Sequence, residues 1–204
     1  MAPPEPVRGL IAGTPVLTPA GPVPVEALQP GMLVLAVSGA AAPFRTLAAV
    51  RRGWGQGPAI RIRAGALDDG TPQQDLLLPA AHALLLDGAL IETGALVDGH
   101  GILPEPGAAP FALVELVLDS HDAVLAAGCA VEAIPPAPGA PDCAPRRGPD
   151  AALRARLSWR AERMGWAAPM PEEPPPPEAA GFRERLDDAP LSPFELDLPP
   201  RGAP

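Results

Sequence analysis

The chain has 204 residues, 32 Pro and 21 Gly among them, and a formal net charge of −9. Residues 1–135 hold most of that charge (6 Arg against 13 acids, net −7), and residues 136–204 hold less (9 Arg against 11 acids, net −2). An acidic chain with no Lys and no Tyr lacks the basic patch and the stacking faces that nucleic acid requires, and the missing Lys also excludes Schiff-base and P-loop chemistry.

The chain opens on Met1-Ala2-Pro3-Pro4-Glu5-Pro6, with no basic start and no apolar run, so no signal peptide is expected and residues 1–8 read as a disordered N-terminus. Short apolar runs follow. Thr14 to Thr18 ends at Pro19-Ala20-Gly21-Pro22, Val23 to Leu28 at Gln29-Pro30-Gly31, and Leu33 to Val37 at Ser38-Gly39. Ile60-Arg61-Ile62-Arg63 alternates apolar and charged residues, the period-2 mark of a half-buried strand. Three Asp-Gly pairs, Asp69-Gly70, Asp87-Gly88 and Asp98-Gly99, carry the composition of tight hairpin turns, in which both central residues need positive φ. The runs Leu76 to Leu78, Ala83 to Leu86 and Ala89 to Ile91 are the strands these turns would join, and Phe111 to Leu118, Ala123 to Leu125 and Ala130 to Ile134 follow. Short strands spaced at roughly ten residues predict a compact all-β domain over 9–135. With seven aromatics in the chain, its core must be aliphatic.

Beyond the β domain the pattern changes. Residues 136–166 read as a linker and a short amphipathic helix that Asp150 would cap. Leu153, Leu157, Ala161 and Met164 fall on one face, and Arg154, Arg156, Arg160 and Arg163 lie elsewhere. The helix either packs on the β domain or serves as a basic surface for a protein partner. Residues 167–204, which include Pro174-Pro175-Pro176-Pro177, are too rich in Pro and acid to form a packed core and read as a disordered tail.

Cys129 and Cys143 are too few for a disulfide framework and show no zinc-binding spacing, so no metal and no cofactor are expected. A buried Cys129 would behave as a small hydrophobe. No apolar run reaches the roughly 18 residues a membrane span needs, and a cytoplasmic protein is expected.

Three stretches resemble the Hint domain, the Hedgehog/intein autoprocessing fold, in its bacterial form. Gly9-Leu10-Ile11-Ala12-Gly13-Thr14 is similar to the family's Cys-Phe-x-x-Gly-Thr opening, and Val25-Glu26-Ala27-Leu28-Gln29-Pro30-Gly31-Met32 to its Val-Glu-x-Leu-x-Pro-Gly-Asp continuation. Asp75 to His82, with Leu84 to Gly88, resembles the block that holds the family's Thr/Ser-x-x-His histidine. Val114-Glu115-Leu116 through Asp119-Ser120-His121-Asp122 to Gly128 resembles the closing strands. The resemblance covers residues 9–134.

An active Hint domain attacks the preceding carbonyl with a thiol or hydroxyl on its first residue. That position is Gly9, which has no nucleophile. By the same resemblance, His82 is the imidazole that polarises the scissile amide and protonates its nitrogen. Its usual hydroxyl partner three residues earlier is Pro79, which can donate nothing. Asp119 and His121 match the family's late acid and histidine, although a turn residue and a strand-edge histidine explain them equally well. Thr14 would hydrogen-bond locally, and His100 belongs to the Asp98-Gly99-His100-Gly101 turn. A chain without Asn cannot complete the asparagine cyclisation that ends splicing, and only eight residues precede Gly9.

Three functions compete on this reading. One is a degenerate Hint domain kept as a structural or interaction module. Another is an active autoprocessing domain with an unrecognised nucleophile such as Thr14. The third is a hydrolase or metal site built from His82, His121 and Asp119. If the resemblance holds, Gly9 lies at the mouth of a shallow cleft with His82 in reach of the Arg8–Gly9 peptide. Cys at position 9 should then restore part of the thioester geometry, because the strands would fix the backbone whatever the side chain.

Overall fold

The structure is a computed structural model that describes residues 6–37, 43–106 and 110–167. Apolar runs and turn signals fold into strands β1 (Leu10–Ile11), β2 (Pro15–Thr18), β3 (Gly21–Pro24), β4 (Leu33–Leu35), β5 (Phe44–Gly55), β6 (Ala59–Ile62) and β7 (Leu76–Pro79). Then come β8 (Ala83–Leu86), β9 (Ala89–Glu92), β10 (Ile102–Pro104), β11 (Phe111–Leu118), β12 (Ala123–Ala126), β13 (Cys129–Glu132) and the helix α1 (Ala151–Arg163). The described domain is all-β apart from that helix and two single 3-10 turns, Val25–Ala27 and Thr93–Leu96. Residues 168–204, the predicted disordered tail from its second residue onward, lie outside the described residues.

Every strand pair is antiparallel. The strands form three sheets, ordered β1-β11-β5-β4, β10-β6-β7 and β3-β2-β12-β13-β8-β9. Single bridges tie the first sheet to the third, Ala36 to Val124 and Val117 to Ile134. The largest fully buried side chains are all Leu or Ile, among them Leu10, Leu28, Ile62, Leu84, Ile91 and Leu116, so the core is aliphatic as the composition predicts. Burying each such side chain contributes about 1.5–3 kcal/mol.

Several elements differ from expectation. Val23 to Leu28 is half strand and half 3-10 turn, because Pro24 ends the β3 ladder. β5, the longest strand, carries Arg51-Arg52-Gly53-Trp54-Gly55 and shows no clean alternation, so only its pairing with β11 reveals it. Of the three Asp-Gly pairs, Asp87-Gly88 alone closes a two-residue hairpin between strands, with φ of +48° and +71°. Ala127-Gly128 closes the equivalent β12–β13 hairpin at +50° and +82°, without the usual Asn or Asp.

α1 packs on the β domain. The Asp150 carboxylate caps it by accepting from Leu153 N at 2.9 Å, and Leu153 and Leu157 join the main core. The predicted face shifts by part of a turn. Met164 is the exposed C-cap, while Arg160 is buried and donates from Nε and Nη2 to Gly65 O at 3.1 and 2.8 Å and from Nη1 to Asp69. Its long stem fills apolar space while its head meets backbone oxygen. Arg156 pairs with Asp87 at 2.8 Å, and Trp166 lies against Gly101 under the Arg63 guanidinium. No described helix is long and apolar enough to cross a membrane.

Candidate functional site

Gly9 sits between the described leader residues 6–8 and β1, whose Leu10 pairs with Val114. It is buried, and its φ of +131° is a conformation that side chains other than glycine's rarely adopt. A Cβ there would meet Leu113 Cγ and Val114 O, each at 3.0 Å. Gly9 N donates to His82 Nδ1 at 3.0 Å. The leader lies along an open groove of about 220 Å³ lined by Pro6, Val7, Pro58, Ala80 and Phe111 among others.

His82 follows β7 through the turn Ala80-Ala81. Its own N–H donates to Pro79 O at 2.9 Å, and its carbonyl accepts from Thr93 N at 2.9 Å. The Thr93 hydroxyl, fully buried, donates to Pro79 O at 2.8 Å. Pro79 thus has no side-chain hydroxyl to give, but its carbonyl anchors the turn from both sides. The imidazole is fully buried. Because Nδ1 accepts the Gly9 N–H, the neutral ring carries its proton on Nε2, a tautomer assigned from this bond. Nε2 is buried with no hydrogen-bond partner among the described residues, and the Glu132 backbone lies near the ring. Burial pushes the His82 pKa down to about 4, the Glu132 charge opposes that shift, and the Arg8 charge reinforces it. At neutral pH the ring is uncharged.

Behind His82 lies a second cluster that joins β13 to chain beyond the β domain. Glu132 is fully buried. Arg146 donates to both of its oxygens, from Nη2 to Oε1 and from Nη1 to Oε2 at 3.3 Å, and also reaches Asp142 from Nε at 2.8 Å. His121 Nε2 lies 3.1 Å from Glu132 Oε1 without hydrogen-bond alignment. His121 Nδ1 lies 3.1 Å from Asp142 Oδ1 and accepts Cys143 N–H at 3.1 Å. Burial by itself would raise the Glu132 pKa, but the adjacent His121 ring, the Arg146 donors and the guanidinium charge hold it at about 2.

Donor atoms of His121, Glu132 and Asp142 lie within 4.8 Å of one another, near enough to share an ion. The Arg146 guanidinium already donates to both carboxylates, so the cluster holds its own cation.

The other sequence candidates lie apart from these contacts. Thr14 is buried, and its hydroxyl donates to Ile11 O at 2.6 Å. The Asp119 side chain is 74% exposed and pairs with Arg45 at a surface turn. Cys129 is buried in β13, and burial raises its thiol pKa to about 12. His100 N donates to Asp98 Oδ1 at 2.8 Å in its turn. Of the four catalytic candidates, then, His82 touches Gly9, and His121 joins the cluster around Glu132. The expectation that the backbone at position 9 is indifferent to its side chain is corrected by the +131° φ and the two 3.0 Å contacts.

Sequence reasoning missed Glu132, Arg146, Asp142 and Thr93. Glu132 carried one signal, a lone acid in the buried register of an apolar strand run. Arg146 carried none, since it sits in a Pro-rich stretch with no periodicity.

The fold is a set of antiparallel sheets with a buried histidine on the amide that opens β1. The model of the Hint domain family matches residues 9–138, and the chain belongs to that family. Among solved structures, the chain is similar to a bacterial intein-like domain from Clostridium thermocellum (16% identity, TM-score 0.48, 63% of this chain and 99% of that one). It is also similar to the gp41-1 intein (15%, 0.46, 63% and 99%) and to a DnaB intein from Synechocystis sp. PCC 6803 (12%, 0.47, 62% and 99%). No curated protein matches the chain.

Proposed function

We propose that this is a degenerate Hint domain, one that keeps the self-processing framework without cleaving itself and serves as a structural or interaction module. The pairing of Gly9 with His82 carries the reading. Acyl transfer needs an attacking thiol or hydroxyl on the first residue, and glycine supplies neither. It also needs an acid for the departing nitrogen. His82 Nδ1 accepts the Gly9 N–H, and a pKa near 4 leaves the ring no proton to give there at neutral pH. The contact anchors the first strand. Thr14 as a substitute nucleophile is disfavoured because its hydroxyl is held by Ile11 O, within its own turn.

Partner binding is supported by exposed aromatics: Trp54 on β5 is 76% exposed, and Trp159 on α1 lies under the Arg163 guanidinium. The test is the intact mass of the purified chain after prolonged incubation with dithiothreitol and with hydroxylamine. An unchanged mass is expected; loss of the residues before Gly9 would show an active domain.

A further inference from the structure

The family match ends at residue 138, yet the charge that faces Glu132 comes from residues 142 and 146. The extension is stitched on by backbone as well as by charge. Leu90 N donates to Pro145 O at 2.9 Å, Arg147 N donates to Leu90 O at 3.1 Å, and Arg146 bridges Leu90 in parallel register at the β9 edge. The register of β13 on β8 sets Val131 opposite Leu84, which places Glu132 alongside Ala83 and next to His82.

A carboxylate without solvent and without a partner would take up a proton or unfold its surroundings. Arg146 removes that choice by donating to both Glu132 oxygens. The carboxylate stays charged and fixed, 3.1 Å from the buried His121 Nε2 and on the strand register that neighbours His82. The Glu132 charge acts on the His82 ring, the Glu132 backbone lies beside it, and Nε2, the nitrogen that carries the His82 proton, is buried. A proton held on Nε2 leaves Nδ1 free to accept Gly9 N–H.

We propose that Arg146 and Glu132 are positioning residues of the histidine site: Arg146, from chain beyond the Hint match, clamps the Glu132 carboxylate, and Glu132 holds His82 in the tautomer that grips the Gly9 amide. The working unit of this site is therefore residues 9–147 at the least. The inference rests on reading Gly9 and His82 as the retained site, not on whether the chain cleaves itself. The groups around Glu132 are His82 from the front of the domain, His121 from the turn before β12, and Asp142 and Arg146 from the extension, while Arg8 acts on His82 itself.

The experiment uses the full chain labelled with 15N and 13C. Histidine ring spectra report the His82 tautomer, the coupling between Gly9 N and His82 Nδ1 reports the bond, and hydrogen exchange reports protection of the Gly9 amide. In the parent, His82 should be in the Nε2–H form from pH 5 to 8 with a measurable coupling. Arg146→Met should lose the coupling and raise Gly9 exchange at least tenfold, and Arg146→Lys should recover part of both. If Arg146→Met does not fold, Glu132→Gln, which preserves volume, should weaken the coupling and raise Gly9 exchange in a folded chain. An unchanged tautomer and unchanged Gly9 protection in a folded Arg146→Met or Glu132→Gln chain would overturn the proposal, whatever the loss of melting temperature. Cleavage before Gly9 in any of these chains would remove the non-processing reading and leave the clamp standing.

Discussion

Two histidines mark two differently built parts of the molecule. His82 has one engaged nitrogen, on the Gly9 amide, and no carboxylate in hydrogen-bond contact. His121 is packed between two carboxylates that share a guanidinium. The first is neutral because burial penalises its charged form by more than the Glu132 charge offsets. The second belongs to a cluster in which the fully buried Glu132 carboxylate lies beside Arg146, which with Asp142 reaches the surface. The contrast shows how a buried polar site can be kept in two ways, by staying uncharged or by being fully paired.

Arg146→Ala tests the paired side and has the largest expected effect. It leaves Glu132 buried with no guanidinium, and such a break costs about 3–5 kcal/mol. Chemical denaturation of the full chain should show a loss of that size, and Arg146→Met with Glu132→Met should recover most of it. Recovery by the apolar pair would mean that the cluster serves position more than stability.

Gly9→Cys tests the uncharged side. Forcing a side chain onto a backbone at φ +131° costs on the order of 1–3 kcal/mol. Because Val114 O is backbone and cannot move aside, β1 itself must shift. With an N-terminal reporter and dithiothreitol, the expected result is a destabilised chain and little or no release of reporter. Prompt release that depends on His82 would show that the vacated site still accepts a nucleophile.

The acid limb of stability separates the two parts by pH. His82 has its pKa lowered from 6.5 to about 4, so the folded state binds fewer protons than the unfolded chain, and stability falls as pH drops from 6.5 towards 4. Glu132 has its pKa lowered from 4.5 to about 2, so its contribution is present above 4.5 and is lost as pH falls towards 2. Denaturation midpoints from pH 7 to 2 should therefore fall in two stages. His82→Phe should flatten the upper stage and Glu132→Gln the lower one. A single stage removed by either variant would mean that the two sites titrate as one.

Asp119→Ala should have the smallest effect. The side chain is largely exposed, and solvent screens its surface pair with Arg45, so the pair adds little to stability. A loss matching that of Arg146→Ala would reverse the ranking of these two acids.

The sequence by itself determined the β class, the aliphatic core, the Asp150 cap and the Asp87-Gly88 hairpin, because each depends on local rules of periodicity, capping and turn geometry. It also singled out Gly9 and His82, 73 residues apart, through the order of the family's motifs. Tertiary structure alone decided the rest. β5 is a strand because β11 pairs with it, and Arg160 is buried because Gly65 offers it a carbonyl. Glu132 is charged in the core because Arg146 arrives from a stretch with no pattern of its own. Local chemistry is written along the chain, whereas a charge pair between distant residues exists only once folding has removed the water between them.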